Sequence, residues 1–184
     1  MNQENLKKLV AKMVAEIGEN VKREGLVHTP DRVARSYEKL FGGYGQDPKK
    51  LIKVFTNEGY DEMIICKDID FYSTCEHHML PFFGRAYIGY IPEKKIIGLS
   101  KLPRMIEIFA RRLQNQERLT KEIADTLNDL LQPKGVGIVL KAQHLCMKAR
   151  GVEKQNSEIT TSAFTGLFKS NMNTRSEFLN LIKN

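Results

Sequence analysis

Two short clusters of metal-binding side chains, far apart in the chain, place the tightest limit on how this sequence can fold. Cys75-Glu76-His77-His78 and His144-Leu145-Cys146 each bring sulfur and imidazole within a few residues of one another. A thiol and an imidazole three residues apart can face one ion, as in ordinary zinc ligand pairs. Residues two apart on a strand point to one face, so His144 and Cys146 would share a surface on an extended segment. Neither cluster completes a coordination sphere by itself, so the fold has to return the second segment to the first. The chain has only 3 Cys, which argues against a disulfide framework as their purpose. Cys66, in an apolar-rich run, reads as a small buried hydrophobe.

Two kinds of zinc site stay open on spacing. A closed structural site uses four ligands, whereas a catalytic site uses three and leaves a position for water. Cys75, His77, His78, His144 and Cys146 exceed either requirement, so at least one His is spare. A spare imidazole beside a metal is what acid–base chemistry near neutral pH requires.

The hydrophobic pattern around these clusters changes along the chain. Leu6, Leu9, Val10, Met13, Val14 and Ile17 recur at helical spacing. Thr29-Pro30-Asp31 reads as a helix start, with a capping hydroxyl, Pro at the first helical position and an acid suited to the dipole. Asp47-Pro48 opens a shorter helix expected to carry Leu51, Val54 and Phe55. Residues 62–73 and 82–91, rich in Ile, Phe and Tyr, then read as strands, and Gly84 and Gly89 imply a bend or a close backbone approach. A short strand (Lys95 to Leu99) leads to a helix pair. The first helix is expected to carry Met105, Ile106, Phe109 and Leu113, and the second Leu119, Ile123, Leu127, Leu130 and Leu131. Strands are expected over Val136–Cys146 and Ile159–Phe168, and Thr174-Arg175-Ser176-Glu177 resembles a capping box for a last helix. This order predicts an α+β fold with an antiparallel sheet in residues 61–184, behind a helical N-terminal arm over 1–60.

The 184 residues, 41% hydrophobic, suffice for a real core, so disorder is not expected. No apolar run approaches the roughly 18 residues of a membrane span. The opening residues Met1 to Val10 lack the apolar stretch of a signal peptide, so a soluble cytoplasmic protein is expected. The net charge of +7 attracts polyanions. The basic residues are scattered, without a basic tail or an RNA-binding aromatic signature, so a nucleotide-sized anion is expected rather than nucleic acid. Ser100-Lys101-Leu102-Pro103-Arg104 stands at a helix start, where a hydroxyl, backbone N–H groups and two cations can form a phosphate site. An ordinary capped helix with solvated basic residues explains it equally well. Lys148-Ala149-Arg150 adds positive charge just after the second cluster.

Taken in order, Thr74-Cys75-Glu76-His77-His78, Ile97-Gly98-Leu99-Ser100-Lys101, Gln116-Glu117-Arg118-Leu119-Thr120 and His144-Leu145-Cys146-Met147-Lys148-Ala149-Arg150-Gly151 resemble the GTP cyclohydrolase I family. Thr29-Pro30-Asp31-Arg32-Val33-Ala34 upstream, and Thr160-Thr161-Ser162 and Asn173-Thr174-Arg175 downstream, extend the resemblance over residues 29–179. It implies a tunnelling fold, an antiparallel sheet with a helix pair on one face, assembled as a homodecamer of two stacked pentamers with active sites at subunit boundaries. It also implies hydrolysis of GTP to formate and 7,8-dihydroneopterin triphosphate, at the head of tetrahydrofolate biosynthesis. Carried over motif by motif, Cys75, His78 and Cys146 would hold Zn2+, leaving His77 and His144 as spare imidazoles. Ser100, Lys101, Arg104 and Arg150 would hold the triphosphate, and Gln116 and Glu117 would contact the guanine. His144, His77 and Ser100 would serve as the acids and bases. Asn115 and Phe164-Thr165 depart from the usual motif neighbours.

Overall fold

The structure, a computed structural model, describes residues 1–183 and, at Leu51, the backbone alone. Asn184, the end of the domain expected over 61–184, lies outside the described residues. The chain divides into two compact units, Met1–Gly42 and Gly43–Asn184.

The first unit is a helix pair, α1 (Gln3–Glu16) and α2 (Thr29–Leu40). Asn2 caps α1 by accepting from the Asn5 N–H, and Pro30 stands in the first turn of α2. Val10 and Ala34 are buried. Lys7 Nζ reaches Asp31 at 3.0 Å and Gln3 donates to Glu38 at 2.8 Å, tying the two helices together. The Thr29 hydroxyl does not cap α2; it donates backwards to the Gly25 carbonyl.

In the second unit α3 (Pro48–Leu51) is a single turn capped by Asp47, and β1 (Val54–Thr56) follows at once. Val54 and Phe55, expected on a helix, therefore lie on a strand, paired with β4 (Lys95–Ile97). β-branched and aromatic residues suit that pleated ladder better than a helix interior.

The main sheet has the order β5-β2-β3-β6-β7. Its strands are β2 (Ile64–Cys75), β3 (Pro81–Ile91), β5 (Leu113–Gln114), β6 (Gly135–His144) and β7 (Ile159–Phe164). All neighbours are antiparallel except the two-residue β5, which runs parallel to the end of β2. Alternation along the strands makes two faces. Phe71, Ala86, Ile88, Ile138 and Leu140 pack against α4 (Lys101–Ala110) and α5 (Gln116–Leu131), which contribute Met105, Ile106, Phe109, Leu119, Ile123 and Leu127. Each of the larger of these buried side chains is worth about 1.5–3 kcal/mol. This is the antiparallel sheet with a helix pair on one face that the α+β reading expects.

On the other face Tyr87 and Val139 join Phe168 and Phe178, from α7 (Gly166–Ser170) and α8 (Met172–Leu181). Gly89 and Gly137 lie opposite each other in the β3–β6 ladder and make room for those two rings. A Cβ on Gly137 would stand 2.6 Å from Phe168 Cδ1. The close approach that Gly89 implied is thus the docking of an aromatic pair. The strand expected to run to Phe168 stops at Phe164, because Gly166 turns the chain with φ +49°. The capping box expected at Thr174 is not used. Asn171 opens α8 instead, accepting from the Asn173 and Thr174 N–H groups. Among the described residues no helix is long and apolar enough to cross a membrane.

Candidate metal centre and active site

The first cluster hangs on the turn between β2 and β3. The Cys75 N–H donates to the Leu80 carbonyl and the Met79 N–H to that of Cys75, both at 2.8 Å, and Met79 takes a left-handed φ of 54° to close the turn. β5 pairs beside the end of β2, and the Glu76 N–H donates to the Gln114 carbonyl at 2.9 Å. That places the turn against the start of α5. There the Asn115 side chain accepts from the Arg118 N–H at 2.7 Å, the ordinary work of a helix cap, and donates to Glu76 at 3.0 Å. Arg118 closes on the same carboxylate. Its hydrogen bond holds the Glu76 carboxyl below the usual carboxylate range, with Asn115 adding to it.

The second cluster arrives at the end of β6. That strand ends at His144, and Cys146 belongs to a one-turn helix, α6 (Leu145–Lys148). Strand alternation, expected to align His144 with Cys146, is therefore not what joins them. A turn of helix swings Cys146 into the cleft instead. Antiparallel register sets Phe82 opposite His144, and the two rings stack at 4.6 Å with 5° between their planes.

The Cys75, His78 and Cys146 ligand atoms lie within 4.8 Å of one another. Cys75 Sγ is 3.7 Å from His78 Nδ1 and 4.0 Å from His77 Nδ1. Two ligands of a tetrahedral zinc, one sulfur and one nitrogen, stand about 3.5 Å apart given their usual bond lengths, so the donors present fit such an ion. Burial pushes the Cys146 thiol up, and the neighbouring Cys75 adds to this while Arg150 opposes it. A bound cation would favour the thiolate form that such burial opposes. Burial also pushes the His144 imidazole below its ordinary value, with Glu117 partly offsetting it.

These groups share one cleft of about 260 Å³, lined by Cys75, His77, His78, Gln116, Glu117, His144 and Cys146 among others. Residues 6–183 match the family model described as GTP cyclohydrolase I. The chain belongs to the GTP cyclohydrolase I family. The GTP cyclohydrolase 1 of Chlorobium phaeovibrioides is 57% identical over 182 residues, covering 98% of this chain and 81% of that protein. The protein of that name from Leptospira biflexa is 53% identical over 179 residues, covering 97% of this chain and 98% of the other. This chain is an enzyme of the GTP cyclohydrolase I type.

The remaining residues expected at a GTP cyclohydrolase I site are distributed unevenly. Lys101 and Arg104 line a different cleft, with Gln46, Lys50, Glu107 and Ile108. Ser100 is exposed just before α4 and makes no side-chain capping bond. Arg150 is exposed, close enough to act on Cys146. Glu117 is exposed in the first turn of α5, whereas Gln116 is buried and its amide is hydrogen-bonded at both ends. Sequence reasoning missed Phe82 and the capping and bridging work of Asn115. The first is visible only in the strand register. The second is signalled by an Asn directly before a helical pattern.

Proposed function

We propose that this enzyme hydrolyses GTP to formate and 7,8-dihydroneopterin triphosphate, the first step of tetrahydrofolate biosynthesis, with Zn2+ held by Cys75, His78 and Cys146. The observation that carries the reading is the single cleft in which two thiols and an imidazole converge beside two further imidazoles and an exposed carboxylate. Two thiolates and a nitrogen are soft donors that suit zinc. A bound zinc supplies a Lewis acid that makes a water nucleophilic near neutral pH.

The chain's own residues do the rest. Glu117 accepts from guanine N1–H and the exocyclic amine, two donors that adenine lacks in that arrangement. The side-chain amide of Gln116 is already engaged within the protein, so reading the base falls to Glu117. His144, after taking a proton from water, gives it to N7, which makes C8 open to attack by water and lets the imidazole ring open. Release of formate and closure of the pterin need further proton transfers, for which His77 and Ser100 are the groups. Lys101, Arg104, Ser100 and Arg150 grip the triphosphate, which takes no part in the chemistry, and that grip holds the purine in place.

Lys101 and Arg104 line a cleft other than that of Cys75 and Cys146, and in this reading a neighbouring chain supplies them to the site. The assembly that goes with this reading is a decamer of two stacked pentamers. Incubating the protein with GTP and assaying formate together with a fluorescent oxidised pterin tests the function. Both products are expected in equal amounts, and absence of formate would refute the reading.

A further inference from the structure

We propose that Gln116 is a positioning residue: its side-chain amide holds His144 in the tautomer protonated at Nε2, leaving Nδ1 to exchange protons with the substrate. The inference rests on the reading of His144 as an acid–base group. It differs from the guanine contact that the sequence motif implied for Gln116.

The hydrogen-bond directions follow one from another. The Thr120 hydroxyl donates its one proton to the Gln116 backbone carbonyl at 2.6 Å. In its contact with Thr161 Oγ1, also 2.6 Å, Thr120 must therefore accept and Thr161 donate. Thr161 Oγ1, its proton committed, is left to accept from Gln116 Nε2 at 3.1 Å. The carbonyls of Leu140 and Ile159, at 3.1 and 3.0 Å from the same nitrogen, can only accept. Three acceptors gathered round one end of the side-chain amide require that end to be the NH2 group. Reversing the amide would set an oxygen against two carbonyl oxygens in a site where Gln116 is 1% exposed.

The other end is therefore Oε1, which can only accept, and it lies 2.7 Å from His144 Nε2. That nitrogen must carry a hydrogen. A neutral imidazole has one N–H, so the lone pair sits on Nδ1. Phe82, stacked parallel on the ring and fully buried, covers one ring face. Stacking admits two orientations related by a half-turn flip about Cβ–Cγ, and the Gln116 bond selects one of them. Strand β6 supplies both His144 and the Leu140 carbonyl that orients the amide, so the ring and its orienting group are referenced to the same backbone.

The test uses 15N-histidine-labelled, zinc-loaded enzyme studied by magic-angle-spinning NMR, with the His144 signals identified by their loss in His144→Ala. The wild-type spectrum should show Nε2 protonated and Nδ1 bare. A His144 protonated at Nδ1 instead would overturn the proposal, whether or not any Gln116 variant folds. In Gln116→Met and Gln116→Asn, kcat should fall about 10²-fold, the cost of a misplaced catalytic group, with zinc content and KM for GTP unchanged. A raised KM with normal kcat would return Gln116 to base recognition. In the His144→Ala background the same substitutions should cost nothing further, because the two residues act as one unit. An equal loss in both backgrounds would also overturn it. Full turnover by His144→Ala would instead refute the acid–base reading of His144, an outcome separate from the tautomer seen in the wild-type spectrum.

Discussion

Cys146 and Glu117 show how differently two site residues are held. Cys146 is half-buried on a single helical turn, and its value to the site lies in a soft sulfur that oxygen does not replace. Cys146→Ser should therefore lose zinc and GTP turnover together, as read by metal analysis and formate release; full zinc occupancy with the serine would remove Cys146 from the ligand set. Glu117 is exposed in the first turn of α5, where an acid is also expected simply to complement the helix dipole. That dipole role is worth under about 1 kcal/mol of stability and would leave turnover intact. A base-reading role predicts near-normal melting and a loss of kcat/KM for GTP approaching about 10⁴-fold, since a polar site built for particular donors rejects what cannot supply them. Comparing the melting temperature and kcat/KM of Glu117→Ala with those of wild type separates the two.

The elements matter because they carry the two clusters to one place. The β2–β3 turn is fastened to the start of α5 by Glu76, whose carboxylate is shared by Asn115 and Arg118. Glu76→Gln keeps the shape but removes the charge that Arg118 needs. Groups that orient metal ligands typically matter by 10–100-fold in metal affinity. A loss of about that size is expected from competition with a zinc chelator, and unchanged affinity would make the fastening purely structural. On the opposite face of the sheet, Gly137→Ala should destabilise by about 1–3 kcal/mol, the usual cost of overpacking, because its Cβ would meet the Phe168 ring at 2.6 Å. Much of this architecture was legible in the sequence. Runs rich in Ile, Phe and Tyr marked β2 and β3, helical stripes marked α4 and α5, and thiol–imidazole spacing marked the ligand candidates. What escaped was decided by long-range partners or by a local turn. Leu113 looked like the end of α4 but pairs with Thr74 as β5, which is the pairing that brings α5 to the metal turn. Cys146 looked like strand because nothing in its own neighbours announces α6. The internal hydrogen bonds of the Gln116 amide escaped because the acceptors around it come from β6 and β7, invisible from position 116.

At the scale of the whole molecule, the cleft with the thiols and the cleft with Lys101 and Arg104 are separate in one chain, and the proposed function asks one nucleotide to reach both. If different chains supply them, an inactive Cys146→Ser chain coexpressed with an inactive Arg104→Ala chain should regain part of the turnover, because some sites then combine two intact halves. No recovery in verified mixed oligomers would mean that each site is built from one chain. In the proposed function three residues hold the metal while His144 stands beside it as the proton-transfer group. Zinc and formate measured on the same preparation of His144→Ala test that claim most directly. One zinc per chain is expected, with formate release lower by about 10²–10⁴-fold. Loss of the zinc, or undiminished formate, would contradict it.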